Sequence, residues 1–87
     1  MASKYTPLKE HLIRHGEKGD TEVLASFNEV ETIIRCPLPP SAYNHRPWWT
    51  NSKHTVIAGA KNGWLAAGWD VDYVNLKDKV VIFRRAH

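Results

Sequence analysis

Two adjacent tryptophans, Trp48 and Trp49, stand in the sequence NHRPWWTN among polar, cationic and turn-forming residues. A tryptophan pair in a hydrophobic core normally belongs to a periodic apolar pattern, which is missing here. This context favours two roles: a lid that closes a small core, or rings held near the surface to stack on a flat ligand. We expect one indole to pack as a lid and the other to be displayed beside Arg46 and Asn51.

Positive charge is concentrated around the same tryptophans. Residues 32–69 contain no Asp or Glu but hold all four tryptophans, and their cationic side chains are Arg35, Arg46, Lys53 and Lys61, with His45 and His54. A cationic segment interleaved with aromatic rings is typical of proteins that bind a polyanion with flat bases. The competing interpretation is that acidic residues are absent by chance from a surface that neutral residues serve equally well.

These side-chain types suit contacts with nucleic acid. Arginine and lysine bind phosphates, asparagine reads an adenine edge or donates to a phosphate, and tryptophan stacks on an exposed base. The candidate nucleic-acid or ligand-binding residues are His45, Arg46, Trp48, Trp49, Asn51, Lys53, His54 and Lys61. Lys77 and Lys79, with Arg84 and Arg85 behind them, are candidate contacts of a wing with the DNA backbone. The alternatives are a solvated turn for the lysines and a helix-entry cap for Asn51.

Catalytic signatures are missing from the sequence. It contains no nucleotide-binding glycine loop, no His-Glu-x-x-His sequence and no nucleophile elbow. His11 and His15 have a metal-compatible spacing, but no further ligand is evident, so we expect neither a metal nor a cofactor. The segment around His54 offers no carboxylate to orient that histidine. We therefore expect a protein without enzymatic activity.

The elements that must position these residues fit one small domain spanning residues 1–87. Hydrophobic residues make up 43% and charged residues 24% of the 87 residues, which is ordinary for a soluble globular protein. No apolar run approaches the roughly 20 residues of a membrane span, and the first residues lack a signal-peptide core. We expect a cytoplasmic protein with no membrane partner. Cys36 is the only cysteine, so no disulfide can form within the chain.

The first half of the chain predicts a helix, a short strand and a second helix. Thr6 is a plausible N-cap with a proline directly after it, and Gly16 is expected to end the first helix. TEVLAS is predicted to form a short strand. SFNEVETIIR reads as a helix because Ser26 and Glu29 have the spacing of a capping box, and the prolines of CPLPPS cannot continue it. Ser41 is expected to cap a short turn that contains Tyr43.

The second half predicts a third helix followed by a hairpin. The third helix covers HTVIAGAKNGWLAA, begins at Ser52 or a neighbour, and ends at Gly68 in a left-handed conformation. Its two internal glycines accommodate either a neighbouring helix, which we favour, or the backbone of a partner. WDVDYVNL and KVVIFRRA form the hairpin, with a bulge near Asp72 and Tyr73. Trp64 and Trp69 are expected in the core.

The resulting fold class is α+β, with the order α-β-α-α-β-β and a small antiparallel sheet. This is the order of a winged-helix variety of helix-turn-helix domain, in which the third helix enters a DNA groove and the hairpin contacts the flanking backbone. Other small α+β domains have the same order, so the fold alone does not establish a function.

Nearly the whole chain resembles a widespread prokaryotic and phage family of small domains of unknown function. The resemblance rests on YTPLKEHL, FNEVETII, PLPPSAYNHRPWWTN and WLAAGWDVDYVNLKDKVVIFRR. The chain departs from the family pattern at TVIAGAKNG, where relatives have a simpler alanine-rich segment. The resemblance implies the fold and the place of the site rather than a chemistry. The positions that carry its pattern are Ser41, Ala42, His45, Arg46, Trp48, Trp49, Asn51, His54, Trp64, Gly68 and Trp69.

These observations lead to one expected function and one alternative. The expected function is a non-enzymatic, winged-helix-like DNA-binding domain that uses residues 45–64 and the wing. The alternative is a phage-type interaction module that binds a host defence protein or sequesters a nucleotide signal, with Arg46 and His54 on the phosphates and a tryptophan on the base.

Overall fold

The computed structural model describes residues 3–86, and its first element is a helix that begins one position earlier than expected. Helix α1 spans Thr6–Glu17 with Tyr5 as its N-cap, so the prediction of Thr6 as the cap is wrong. Proline in the first turn fits because the amide that it lacks has no intrahelical partner there. The helix continues past Gly16 by one residue and buries Leu8 and Leu12.

Strand β1 and helix α2 meet at a single serine. Strand β1 spans Glu22–Ser26 and α2 spans Phe27–Ile34. The Ser26 hydroxyl accepts from the Glu29 amide at 3.0 Å, and the Glu29 carboxylate accepts from the Ser26 amide at 3.0 Å. The predicted capping box is confirmed. Helix α2 ends at Arg35, whose φ of 60° turns the chain out of the helix before the prolines.

The middle of the chain differs most from the prediction. Helix α3 is a short element at Pro40–Asn44 with Pro39 as its N-cap, so the prediction of Ser41 as the cap is wrong, and a 3-10 turn follows at Arg46–Trp48. The long third helix predicted over residues 54–67 is wrong. Regular helix in that range is confined to residues 58–59, and it continues as one π-helical turn at Ala60–Trp64.

Side-chain hydroxyls account for the missing helix. The amide of Ser52 donates to the Thr50 hydroxyl at 3.0 Å, that of His54 to the Ser52 hydroxyl at 3.3 Å, and that of Ile57 to the Thr55 hydroxyl at 3.0 Å. Serine and threonine side chains compete in this way with helical hydrogen bonds. Residues 51–57 therefore form an exposed loop instead of the first helical turns.

The last two elements form a hairpin that completes a three-stranded sheet. Strands β2 (Trp69–Asn75) and β3 (Val80–Arg85) are antiparallel, and the strand order is β1-β3-β2. The predicted bulge is confirmed, because the β2–β3 register shifts between Val71 and Tyr73. The left-handed turn at Gly68 is also confirmed by its φ of 81°.

The core lies between the inner face of this sheet and the helices. Its largest fully buried side chains are Trp64, Trp69, Phe27 and Phe83, so the expectation for Trp64 and Trp69 is confirmed. Helix α1 packs against both α2 and the π-helical turn. The α+β class and the order α-β-α-α-β-β are confirmed. Among the described residues, no helix has the length and apolar character needed to cross a membrane.

Candidate nucleic-acid interface

Both indoles of the tryptophan pair are buried. Trp48 is 7% exposed and Trp49 is 5% exposed, so the prediction that one of them is displayed is wrong. The Trp49 indole N–H donates to the Ala42 carbonyl at 2.8 Å, which satisfies its polar atom inside the protein. Neither ring presents a face on which a base can stack.

The physical reason for this burial is an aromatic cluster. Trp49 stacks against Phe27, with ring centroids 4.8 Å apart, and against Trp64, with centroids 5.5 Å apart. Trp48 meets the ring of Trp49 edge-on at 4.8 Å. Offset-stacked and edge-to-face pairs each add about 0.5–1.5 kcal/mol to what area burial alone supplies. The tryptophan pair therefore stabilises the core.

The two glycines of the π-helical region make room for this cluster and for α1. A Cβ on Gly59 would lie 2.6 Å from the Trp48 ring, and a Cβ on Gly63 would lie 3.3 Å from the Leu8 side chain in α1. The favoured interpretation of the pair, accommodation of a neighbouring helix, is confirmed for Gly63. Gly59 instead accommodates the Trp48 side chain.

Arg46 and Asn51 bind the outer edge of β2. The Asn51 amide group accepts from the Val71 N–H at 2.7 Å and donates to the Val71 carbonyl at 2.8 Å. The Arg46 guanidinium donates to the Val74 carbonyl at 2.6 Å. Because an open strand edge is a template for pairing with another chain, these bonds protect β2. Asn51 is a strand-edge partner here and not a helix-entry cap.

The other predicted residues of the segment remain on the surface. His45, Lys53, His54 and Lys61 are exposed. Lys53 and Lys61 are brought together, because both line a depression of about 280 Å³ at the Trp69 end of β2. The same depression is lined by Asp70, whose negative charge lowers the local positive potential.

The predicted wing lysines lie in the turn between β2 and β3. Lys77 and Lys79 are both exposed. Lys79 has a φ of 56°, and its ammonium lies 5.8 Å from the centroid of the Tyr43 ring, a cation–π distance. In the same turn, the Asn75 side chain donates to the Asp78 carboxylate at 3.1 Å. The turn therefore combines two cationic side chains with one acid.

A groove that the sequence did not predict lies at the opposite edge of the sheet, beside β1. This groove has a volume of about 550 Å³ and lies between α1, β1 and α2. Its walls include His11 and His15, whose ring centroids are 4.6 Å apart, and Asp20, whose carboxylate lies 2.8 Å from the His15 Nδ1. Burial, followed by the nearby His15, lowers the pKa of His11. The sequence signal for this groove is Leu24, an apolar residue at an outward-facing position of the predicted strand TEVLAS.

This groove does not gather a metal-binding set. Within residues 3–86, no three or more side chains of His, Cys, Asp or Glu converge to hold an ion. Two histidines and one carboxylate line the groove near one another, but one histidine nitrogen is already engaged by that carboxylate. Structural zinc sites require four ligands in tetrahedral geometry.

Comparison with known proteins identifies a family. A family model described as a domain of unknown function, DUF7662, matches residues 5–86. The chain belongs to this family. Every helix and strand from α1 to β3 falls within the matched DUF7662 range. No curated protein and no solved structure matches the chain at a significant level.

Proposed function

We propose that this protein is a non-enzymatic DNA-binding domain that contacts the phosphate backbone through a basic strip along the outer edge of β2. The observation that carries the proposal is the path of the acid-free segment. Residues 46 and 51 bind Val74 and Val71, so the segment runs antiparallel to β2 along this part of its edge. Arg46, Lys53 and Lys61 are thereby combined with the cations of the β2–β3 turn.

The strip is defined by five cationic side chains. They are Lys53 and Lys61 near Trp69, Arg46 beside Val74, and Lys77 and Lys79 in the turn that follows β2. Strand β2 has seven residues, and at about 3.3 Å per residue its length is about 23 Å. Phosphates of one B-DNA strand are spaced about 3.4 Å along the helix axis. A strip of this length is therefore long enough to face several phosphates.

This mode of binding differs from the expected one. The tryptophan rings are buried, and the segment predicted as a recognition helix holds one π-helical turn whose Gly63 and Trp64 are buried. Phosphate contacts position a protein on DNA without reading its sequence. The proposal therefore implies weak discrimination between sequences, with affinities near the range of about 10⁻⁴–10⁻⁶ M that non-specific binding has at physiological salt.

Fluorescence anisotropy with labelled duplex and single-stranded DNA tests the proposal. Binding should weaken steeply between about 50 mM and about 200 mM salt, because each neutralised phosphate releases counterions. The double variant Lys53→Ala/Lys61→Ala should bind less tightly and lower the slope of log K against log salt by about two.

A charge-matched control uses the opposite side of the molecule. Arg14→Ala/Lys18→Ala removes the same charge from the end of α1, next to β1, and should leave the salt slope unchanged. Equal losses in the two double variants would mean that net charge rather than the strip drives binding. Absence of affinity for either form of DNA at low salt would overturn the proposal.

A further inference from the structure

The two edges of the sheet differ in how far other described residues cover them. In the order β1-β3-β2, strands β1 and β2 form the edges. The β2 edge is closed by Asn51 and Arg46. Beside β1 the described residues 3–86 place no further strand. Exposed strand edges invite pairing with another chain, and proteins usually cover or interrupt them.

The backbone groups that point away from the sheet in β1 follow from its hydrogen bonds with β3. The amide of Arg85 donates to the Thr21 carbonyl, and the amide of Phe27 donates to the Lys79 carbonyl. In an antiparallel pair such bonded positions alternate along the strand. Residues 21, 23, 25 and 27 therefore face β3, whereas Glu22, Leu24 and Ser26 face outward. The Ser26 amide is taken by Glu29, which leaves Glu22 and Leu24 to offer their amides and carbonyls.

The groove of about 550 Å³ lies directly beside these groups. Residues 22–25 of β1 line it on one side, and Thr32 and Ile33 of α2 line it on another. Leu24 is 67% exposed, although leucine is among the residue types most often buried. An extended segment laid along β1 would pair with the free backbone groups and cover the Leu24 side chain.

The charge of the groove determines which kind of extended segment can bind along β1. Asp20, Glu22 and Glu29 line it, and none of its lining residues is a lysine or arginine. Arg84 offsets part of this charge, with its guanidinium 3.5 Å from the Glu22 carboxylate. Burial, followed by the nearby His15, Arg14 and Lys18, lowers the pKa of His11, so this histidine adds little positive charge to the groove at neutral pH. Pairing β1 with the β1 of a second copy would double these carboxylates, so like-charge repulsion disfavours that occupant.

From this geometry we infer that β1 binds an extended, basic segment of another protein as a fourth strand of the sheet. Main-chain hydrogen bonds to Glu22 and Leu24 hold the segment, which is the β-augmentation mode of peptide recognition. Alternate side chains of the segment point to the same side of a strand. Those on the outer face of the sheet contact Leu24 and Glu22, where a lysine or arginine pairs with the carboxylate. Those on the helix-covered face approach Ile33 and Asp20 in the groove.

Amide hydrogen exchange measured by NMR tests this inference with synthetic peptides as probes. A peptide that alternates lysine and valine should slow exchange of the Leu24 and Glu22 amides. The Val71 amide, which Asn51 already binds, should keep the same exchange rate with and without peptide. A peptide that alternates glutamate and valine should bind more than about tenfold less tightly.

Two variants separate the charge contribution from a general effect of mutation. Glu22→Gln should weaken binding of the basic peptide, and Glu10→Gln, an exposed position on α1 outside the groove, should not. Peptide binding that leaves the Leu24 amide unprotected would overturn the inference, as would the absence of binding. If the protein is a dimer whose Leu24 amide exchanges slowly without peptide, the β1 edge instead pairs with a second copy of the chain. DNA should not slow exchange of the Leu24 amide. The result is therefore independent of the DNA-binding proposal for the basic strip along β2.

Discussion

The packing of Trp48 against Gly59 leaves no room for a side chain at position 59. A Cβ at position 59 would lie 2.6 Å and 2.9 Å from two carbons of the Trp48 ring. That ring is flanked by Tyr5, at 6.1 Å between centroids, and by Trp49 and Trp64. A rigid ring held on several sides cannot move away from an added methyl group at low cost.

We therefore predict that Gly59→Ala destabilises the protein by about 1–3 kcal/mol, the usual cost of overpacking. This outcome opposes helix propensity, because Gly59 has helical dihedral angles and alanine alone would be favoured there by about 1 kcal/mol. Urea denaturation measures the change in the free energy of unfolding.

Gly16→Ala is the matched control. Gly16 lies inside α1, and the nearest atom to an added Cβ would be 3.7 Å away, an ordinary contact. This variant should be as stable as the parent or more stable by up to about 1 kcal/mol. If both alanine variants stabilise the protein, the Trp48 ring does not pack against Gly59.

At the residue scale the sequence marked NHRPWWTN as unusual but did not predict the burial of both its rings. The composition of NHRPWWTN was recognisably unusual, because its polar neighbours do not form a periodic core pattern. The burial of the rings depends on Phe27 and Trp64, which come from other elements and meet Trp49 only in the folded chain. The bonds from Asn51 to Val71, twenty positions further along the chain, are equally invisible to local patterns.

At the element scale, the capping box of α2 and the bulge in β2 were confirmed, and the predicted third helix was wrong. The Ser26 and Glu29 capping box involves residues three apart, so the sequence contains all of its determinants. The third helix was inferred from a start at Ser52 or a neighbour and a stop at Gly68, and hydroxyl groups at residues 50, 52 and 55 instead engage the amides of its expected first turns. The bulge in β2 was predicted because its apolar positions break strict alternation.

The edge of β2 provides a prediction at this scale. Asn51→Ala removes both bonds to Val71 and leaves an amide and a carbonyl of the strand without that partner. We expect a loss of about 1–3 kcal/mol in the free energy of unfolding, since unpaired backbone groups near the surface recover only part of their hydrogen bonding from water. Chemical denaturation measures the loss. Exchange of the Val71 amide should also become faster.

Two comparisons make the result specific to the strand edge. Asn51→Asp keeps an acceptor for the Val71 amide but sets a carboxylate against the Val71 carbonyl, so it should also destabilise. Asn44→Ala, at an exposed position that ends α3, should change stability by less than about 0.5 kcal/mol. Equal stability of Asn51→Ala and the parent would show that the edge does not depend on this side chain.

At the scale of the whole molecule, one aromatic cluster joins α1, α2, the segment after α3, the π-helical turn and β3. Phe27 belongs to α2, Trp64 to the π-helical turn and Phe83 to β3, while Trp48 and Trp49 come from the segment that follows α3. Tyr5, the N-cap of α1, contacts Trp48. The elements that supply these rings therefore share one cluster, and each of them buries its aromatic side chain against the others.

This interdependence predicts a single cooperative unfolding transition. Helix and sheet content followed by far-UV circular dichroism should be lost at the same urea concentration as the buried tryptophan environment followed by fluorescence, as expected for a two-state unit of this size. All four tryptophans are buried, so iodide should quench their emission weakly before the transition and strongly after it. Trp48→Phe should shift both curves together to lower urea, because it creates a cavity within the shared cluster. If fluorescence changes well before the dichroism, the tryptophan segment opens independently, and its rings become available for stacking on DNA in a way that the closed cluster does not allow.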